Sequence, residues 1–150
     1  MTHEALRELA DRAARIGLMY LDGDAFEGIL LDRAGDTDYD FGAFIQAKRA
    51  LAYLERIEES AKLCAVLWQA YPGNPGLSVP VAAGSSLPLE GWTRTRTSAE
   101  LEAVYSRGER PIRSDPVAGT THYYYPVRNS DDDIVGALEL IAGLAVAADI

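Results

Sequence analysis

The sequence holds one cysteine, Cys64, in 150 residues. A lone cysteine forms no disulfide within the chain and builds no cysteine-based zinc site. Long apolar runs are missing too: none approaches the roughly 20 residues that a helix needs to cross a bilayer. The N-terminal stretch Met-Thr-His-Glu-Ala-Leu-Arg-Glu-Leu is charged from the start, unlike a secretory signal peptide. Basic residues are the minority, with 14 Lys and Arg against 23 Asp and Glu, a net charge of −9 and a pI near 4.6. That sign argues against a broad nucleic-acid or anionic-membrane surface, because both need a positive field. The glycines at 17, 23, 28 and 84 stand in no phosphate-binding loop with lysine. His3 and His122 have no Cys or Ser partner in a recognisable catalytic frame. Repeats, low-complexity tracts and linkers are also missing. These absences lead us to expect a cytoplasmic, reduced, acidic globular domain without a decisive catalytic signature and with no implied cofactor.

What is there is ordinary soluble composition, 48% hydrophobic and 25% charged, in a length that suits one domain. Leu6, Leu9, Ala10, Ala13, Ile16 and Met19 or Tyr20 recur at spacings of three and four, which predicts a helix over 3–20 behind Thr2 as N-cap. Asp22-Gly23-Asp24 breaks that pattern, and the run 25–31 is too short for periodicity to separate helix from strand. After a polar loop over 32–40, Phe44, Ile45, Leu51, Leu54 and Ile57 mark the strongest helix, about 41–60. The period then changes. The continuous apolar run Leu63–Tyr71 reads as a buried strand closed by Pro72-Gly73. Gly76–Ala83 reads as its hairpin partner, with Pro80 suited to a sheet edge. Ser98 caps a short helix that Gly108 stops, and Thr120–Arg128 and Ile134–Ile141 form a second hairpin across the turn 129–133. Helices followed by strands predict an α+β fold, an antiparallel sheet with N-terminal helices packed on it. We read one domain, with a helical segment at 1–60 and a sheet portion at 61–150.

The segment from Glu100 to Leu140 carries a resemblance. Gly108-Glu109-Arg110-Pro111 ends a short helix, Tyr125-Pro126-Val127 closes a strand, Asp131–Asp133 turns, and Ile134-Val135-Gly136-Ala137-Leu138-Glu139-Leu140 runs back. This order resembles the second half of PAS-like sensor domains of the Cache and GAF type. The resemblance implies a PAS-like sheet, small-molecule sensing, signal transduction and a homodimer. Gly136 is then expected where the backbone bends or approaches a neighbour.

Candidate binding residues follow from this frame. Tyr123 and Tyr125 share one face of their strand and Tyr124 takes the other. The face that sets tyrosines beside Ala137 or Gly136 is the expected pocket wall, because a small residue beside rings leaves space. Trp68 on the first strand and Trp92 in the long loop are further aromatic candidates. Arg94 and Arg96 are placed to close over the site and neutralise an anionic ligand; the alternative is that Arg94, Arg96, Arg107, Arg110 and Arg113 pair with Glu100, Glu102, Glu109 and Asp115 nearby. The alternating acids Asp36, Asp38 and Asp40 resemble a calcium loop, but the sixth and twelfth positions are Phe41 and Ala47 rather than Gly and Glu. A solvated loop before a helix is the simpler reading, so no metal ligand is assigned. The apolar stripe Leu6, Leu9 and Ile16 is the expected homodimer surface. Function therefore reads first as a non-enzymatic sensory or regulatory domain that binds a small molecule and signals through helix packing. One alternative is an acidic interaction module of the adaptor or immunity type, with a basic protein partner and no ligand. The other is a metal-dependent enzyme using the acidic loop.

Overall fold

The computed structural model describes residues 2–33, 41–57, 62–84 and 94–143. Trp92 and the acids at 36, 38 and 40 lie outside the described residues. Helices α1 (His3–Met19), α2 (Gly23–Arg33) and α3 (Phe41–Ile57) come first. Strands β1 (Leu63–Tyr71), β2 (Asn74–Ala83) and β3 (Thr95–Arg96) follow, then α4 (Ala99–Arg107) and strands β4 (Ile112–Asp115), β5 (Thr120–Arg128) and β6 (Ile134–Ala142). The strands form one six-stranded sheet in the order β3-β2-β1-β6-β5-β4, antiparallel at every pairing. The chain thus has the expected α+β architecture, an antiparallel sheet with helices packed on it.

Local chemistry explains the boundaries. The Thr2 hydroxyl accepts the Ala5 N–H at 3.0 Å and starts α1. Asp22 Oδ1 accepts the Asp24 and Ala25 N–H groups and starts α2, which resolves the ambiguous run as helix. Ser98 caps α4 through the Leu101 N–H, and Gly108 ends it in the left-handed region at φ 64°. The four long strands stand where the apolar runs put them. The two short edge strands were not expected: Thr95–Arg96 and Ile112–Asp115 have no alternating apolar pattern, and an edge strand has only one neighbour to satisfy. β3 pairs only with Leu77 and Ser78, so Pro80 lies beyond its reach on the outer side of β2, as a residue without an N–H requires.

Alternation divides the sheet into two faces. Leu63, Ala65 and Leu67 of β1, Tyr123, Tyr125 and Val127 of β5, and Leu138, Leu140 and Ala142 of β6 pack against Leu6, Ala10, Ala13, Phe26, Ile29, Ala47, Leu51 and Leu54 of α1–α3. Trp68, Tyr124 and Ala137 face the other way and pack under Leu101, Val104 and Tyr105 of α4. The α1 stripe is therefore turned inward, with Leu6 buried, Leu9 packed on the same core and Ile16 half-buried. The stripe expected as a homodimer surface is covered within the chain by α3 and the sheet.

A close contact between the layers lies at Gly136. A Cβ there would stand 2.5 Å from the Phe26 ring and 2.5 Å from the Trp68 carbonyl oxygen, so the space expected beside this glycine is occupied by α2. Gly136→Ala is expected to destabilise the fold by about 2 kcal/mol or more, the range for overpacking a close contact. Gly76→Ala, where the nearest atom is the Asn74 side-chain oxygen at 3.3 Å, should cost well under half as much; paired urea denaturation curves measure the difference.

Candidate functional site

Two features of the sheet concentrate polar chemistry: a cleft at one end of the central strand pair and a buried carboxylate on the α4 side. The ladder between β1 and β6 runs from Leu63–Ala142 to Trp68–Ala137 and stops. Beyond it, Gln69–Tyr71 pair only with β2, while Val127 and Arg128 of β5 take up Gly136 and Ile134. The two central strands part there, with Phe26 seated at the fork. The opening is a cleft of about 390 Å³ lined by Gln69, Ala70 and Pro72 of the β1 end, Ile134, Val135 and Gly136 of β6, Glu27 of α2, Tyr105 of α4, and Asn129 and Asp133 of the β5–β6 turn. A volume in the range of roughly 300–1,000 Å³ suits a small ligand.

Hydrogen bonds tie α2 to the rim of this cleft. The buried Gln69 side-chain amide donates to the Phe26 carbonyl at 2.7 Å. Asn129 Nδ2 donates to Glu27 Oε2 at 3.2 Å. The Ser130 N–H and hydroxyl both donate to Asp24 Oδ1, and these bonds hold the Asp24 carboxyl below the usual carboxylate range. The turn is rigid in turn, since Asn129 Oδ1 accepts the N–H groups of both Asp131 and Asp133 at 3.0 Å. At the α4 wall, Tyr105 reaches the fully buried Ser78 hydroxyl at 3.1 Å, and burial pushes its phenol up to about 12.

The second feature centres on Glu139, 6% exposed in the middle of β6. The Trp68 indole N–H donates to its Oε1 at 2.9 Å, and Tyr124 OH donates to Oε2 at 2.8 Å. His122 Nδ1 lies 2.6 Å from the same Oε2, and His122 Nε2 lies 3.0 Å from the Thr120 hydroxyl. Burial raises the Glu139 pKa, but the bonds from His122, Tyr124 and Trp68 outweigh it and hold the group below its ordinary value. Glu139 is thus an ionised acceptor. His122 Nδ1 must carry a proton toward it, and in a neutral ring Nε2 is left to accept from Thr120. Arg113, opposite His122 on β4, stands 3.7 Å from Glu100 Oε1. Burial and the Glu139 charge drive the Tyr124 phenol well above its usual range, so it stays a donor.

The sequence-derived candidates are spread over the molecule. Tyr123 and Tyr125 lie on the helix-covered face, both buried, and Tyr125 OH donates to Asp11 of α1 at 2.9 Å. Trp68 lies on the opposite face with Glu139. The Arg94 guanidinium lies 4.1 Å over the Tyr71 ring, and Arg96 is exposed on the edge strand β3. None of these five lines the cleft, and Trp92 lies outside the described residues. Sequence reasoning passed over Glu139, although a glutamate inside Ile-Val-Gly-Ala-Leu-Glu-Leu-Ile is itself the signal of a buried, partnered charge. It also passed over Glu27, Asn129 and Asp133, which only the tertiary fold gathers. Among the described residues, no group of His, Cys, Asp and Glu could hold a metal ion, and no helix is long and apolar enough to cross a membrane.

No family model matches the chain, and no curated protein matches it. Among solved structures, the crystal structure of a GAF domain from A. aeolicus in an inactive state is similar over 86% of this chain and 81% of that chain, at 11% sequence identity and a TM-score of 0.44.

Glu139 sets an acid limit on stability. Its pKa is depressed in the fold, so its contribution is fully present above the unfolded value of about 4.3 and is lost as pH falls through the folded value. Denaturation free energies measured from pH 7 down to pH 3 should show this loss in the native chain. Glu139→Gln should be less stable at pH 7 and should show a flatter acid limb.

Proposed function

We propose that this chain is a non-enzymatic sensory domain that binds a small molecule in the β1–β6 cleft and passes the event on through the packing of α2. The observation that carries this reading is the cleft itself: a ligand-sized opening at the centre of the sheet, walled by a helix on each side. Its lining combines apolar surface from Ala70, Pro72, Ile134 and Val135 with a few placed polar groups, as ligand sites do.

The route outward is short. Glu27 lines the cleft from α2, and its neighbour Phe26 plugs the fork against Gly136. A ligand that touches Glu27 and Val135 together changes the balance between α2 seated and α2 displaced, and α2 packs on α3. Selection between two packings needs only that the ligand prefer one of them. The hydrogen-bonded Glu139 group, on this reading, keeps the α4 side fixed while the helix side moves.

A thermal-shift screen of metabolites against the native chain and Ala70→Phe tests the proposal. Ala70 is half-buried at the cleft wall, so a phenyl group there fills the opening. Compounds that raise the melting temperature of the native chain should lose their effect in the variant, and hydrogen exchange should show α2, Gly23–Arg33, as the segment whose protection changes on binding. Hits that bind Ala70→Phe equally well, or a library with none, would overturn it. The net charge of −9 would then favour the acidic interaction module.

A further inference from the structure

The donors and acceptors left over in the cleft define what it can hold. Asn129 is engaged on both sides of its amide, donating to Glu27 and accepting from Asp131 and Asp133. The Gln69 amide nitrogen donates to the Phe26 carbonyl. The Tyr105 hydroxyl is held by Ser78, so Tyr105 offers its ring. Each of these polar side chains thus has a partner inside the protein, and what distinguishes the lining is its charge. The charged groups of the lining are both acceptors: Glu27, whose Oε2 takes Asn129, and Asp133, exposed at the rim, which makes no side-chain bond among the described residues. Among the described residues, no Lys, Arg or His lines the cleft. Arg128, the nearest cation in sequence, turns to the Asp132 carbonyl at 2.8 Å. Arg94 and Arg96, the groups that suggested an anionic ligand, stand elsewhere, on the Tyr71 ring and on the sheet edge.

We infer that the cleft takes a small organic cation, an amine with an apolar body whose ammonium group lies between Glu27 and Asp133. The inference rests on the reading of the cleft as a ligand site. An anion entering this lining would meet two carboxylates and, among the described residues, no cationic side chain, which is repulsion without charge compensation. A neutral ligand would fill the apolar wall and can donate a hydrogen bond, but it would leave the two negative charges uncompensated. An ammonium group supplies N–H donors to both, and charge-assisted bonds of this kind are the stronger ones. Its apolar body then lies along Pro72, Ile134 and Val135, with the Tyr105 ring at the other wall. A ring beside a cation adds attraction of its own.

The experiment compares matched probes by calorimetry on the intact chain: butylamine, phenethylamine, choline and agmatine against butyrate and 3-phenylpropionate, with 3-phenylpropanol as the neutral member. At least one cationic probe is expected to bind more tightly than the carboxylates and the alcohol. Its affinity should fall by about tenfold or more in Glu27→Gln and in Asp133→Asn, the size of a lost charged hydrogen bond, and should not change in Glu8→Gln on the exposed face of α1. It should also weaken with added salt. If the carboxylates or the alcohol bind instead, and Ala70→Phe abolishes that binding, the cleft is a ligand site but the cation assignment is wrong. If no probe binds, or binding survives Ala70→Phe, the assignment fails together with the reading of the cleft. Cationic binding that Glu27→Gln and Asp133→Asn both leave intact would overturn the cation assignment alone.

Discussion

The close approach of Phe26 to Gly136 constrains most of what surrounds it. The two central strands, β1 and β6, pair over Leu63–Trp68 and then separate where the Phe26 ring and the Trp68 carbonyl both crowd the position a side chain at 136 would take. A residue with a Cβ would push the helix away or force the strands to shift. Because glycine stands there, α2 sits against the sheet, Gln69 can reach the Phe26 carbonyl, and the turn 129–133 can reach Asp24 and Glu27. Gly23 repeats the device at the start of α2, where a Cβ would stand 2.0 Å from the Arg128 carbonyl oxygen. The cleft follows from the same geometry: α2 fills the fork on one side of the sheet and leaves it open toward Tyr105.

The two faces of the sheet are held by different physics. The helix side is a broad apolar core, stabilised by area removed from water. The α4 side has a smaller apolar cluster and a buried carboxylate at its margin. An isolated charge there would be expelled or neutralised. Trp68, Tyr124 and His122 come from β1 and β5, the two strands that flank β6, so their bonds to Glu139 also fix the register of three strands. A one-residue slip would turn Glu139 into the apolar core and would break all three bonds. Removing one partner of such a buried group costs about 3–5 kcal/mol, which is a large share of a small domain's stability. The network thus specifies register more than it adds net stability.

Much of this was legible in the sequence, and the reasons differ by element. The strands Leu63–Tyr71 and Ile134–Ala142 were readable because their apolar runs are nearly continuous, as strands covered on both faces require, and Thr120–Arg128 because it is rich in β-formers. α1 and α3 were readable because one stripe each meets the sheet. α2 was not, because its eleven residues carry almost no periodicity; its helical state comes from the Asp22 cap and from contacts made far away in sequence. The alternation that put Tyr123 and Tyr125 on one face was right, but alternation alone does not say which face the helices cover. Leu138 and Leu140, not Ala137, are their cross-strand neighbours, and leucine opposite tyrosine makes core. The cleft was invisible because it is a failure of pairing: it arises where a ladder stops, and no residue type announces that.

The place where the ladder stops also sets how far a ligand's influence can reach. Strand pairs that remain hydrogen-bonded transmit little, since a close-packed sheet resists gradual deformation. An element attached at its ends by a few polar bonds can adopt a second position as a unit. α2 is held by Asp24 and Glu27 on the turn, by Phe26 at the fork and by packing on α3, with Phe26 and Ile29 fully buried, so on the proposed function it would have to move as a unit. To shift such a two-position element from mostly one state to mostly the other, a ligand must favour one position by about 5.5 kcal/mol. On the proposed function, contact with Glu27 on the helix and Asp133 on the turn would give that preference a physical source, because the two carboxylates stand on different elements.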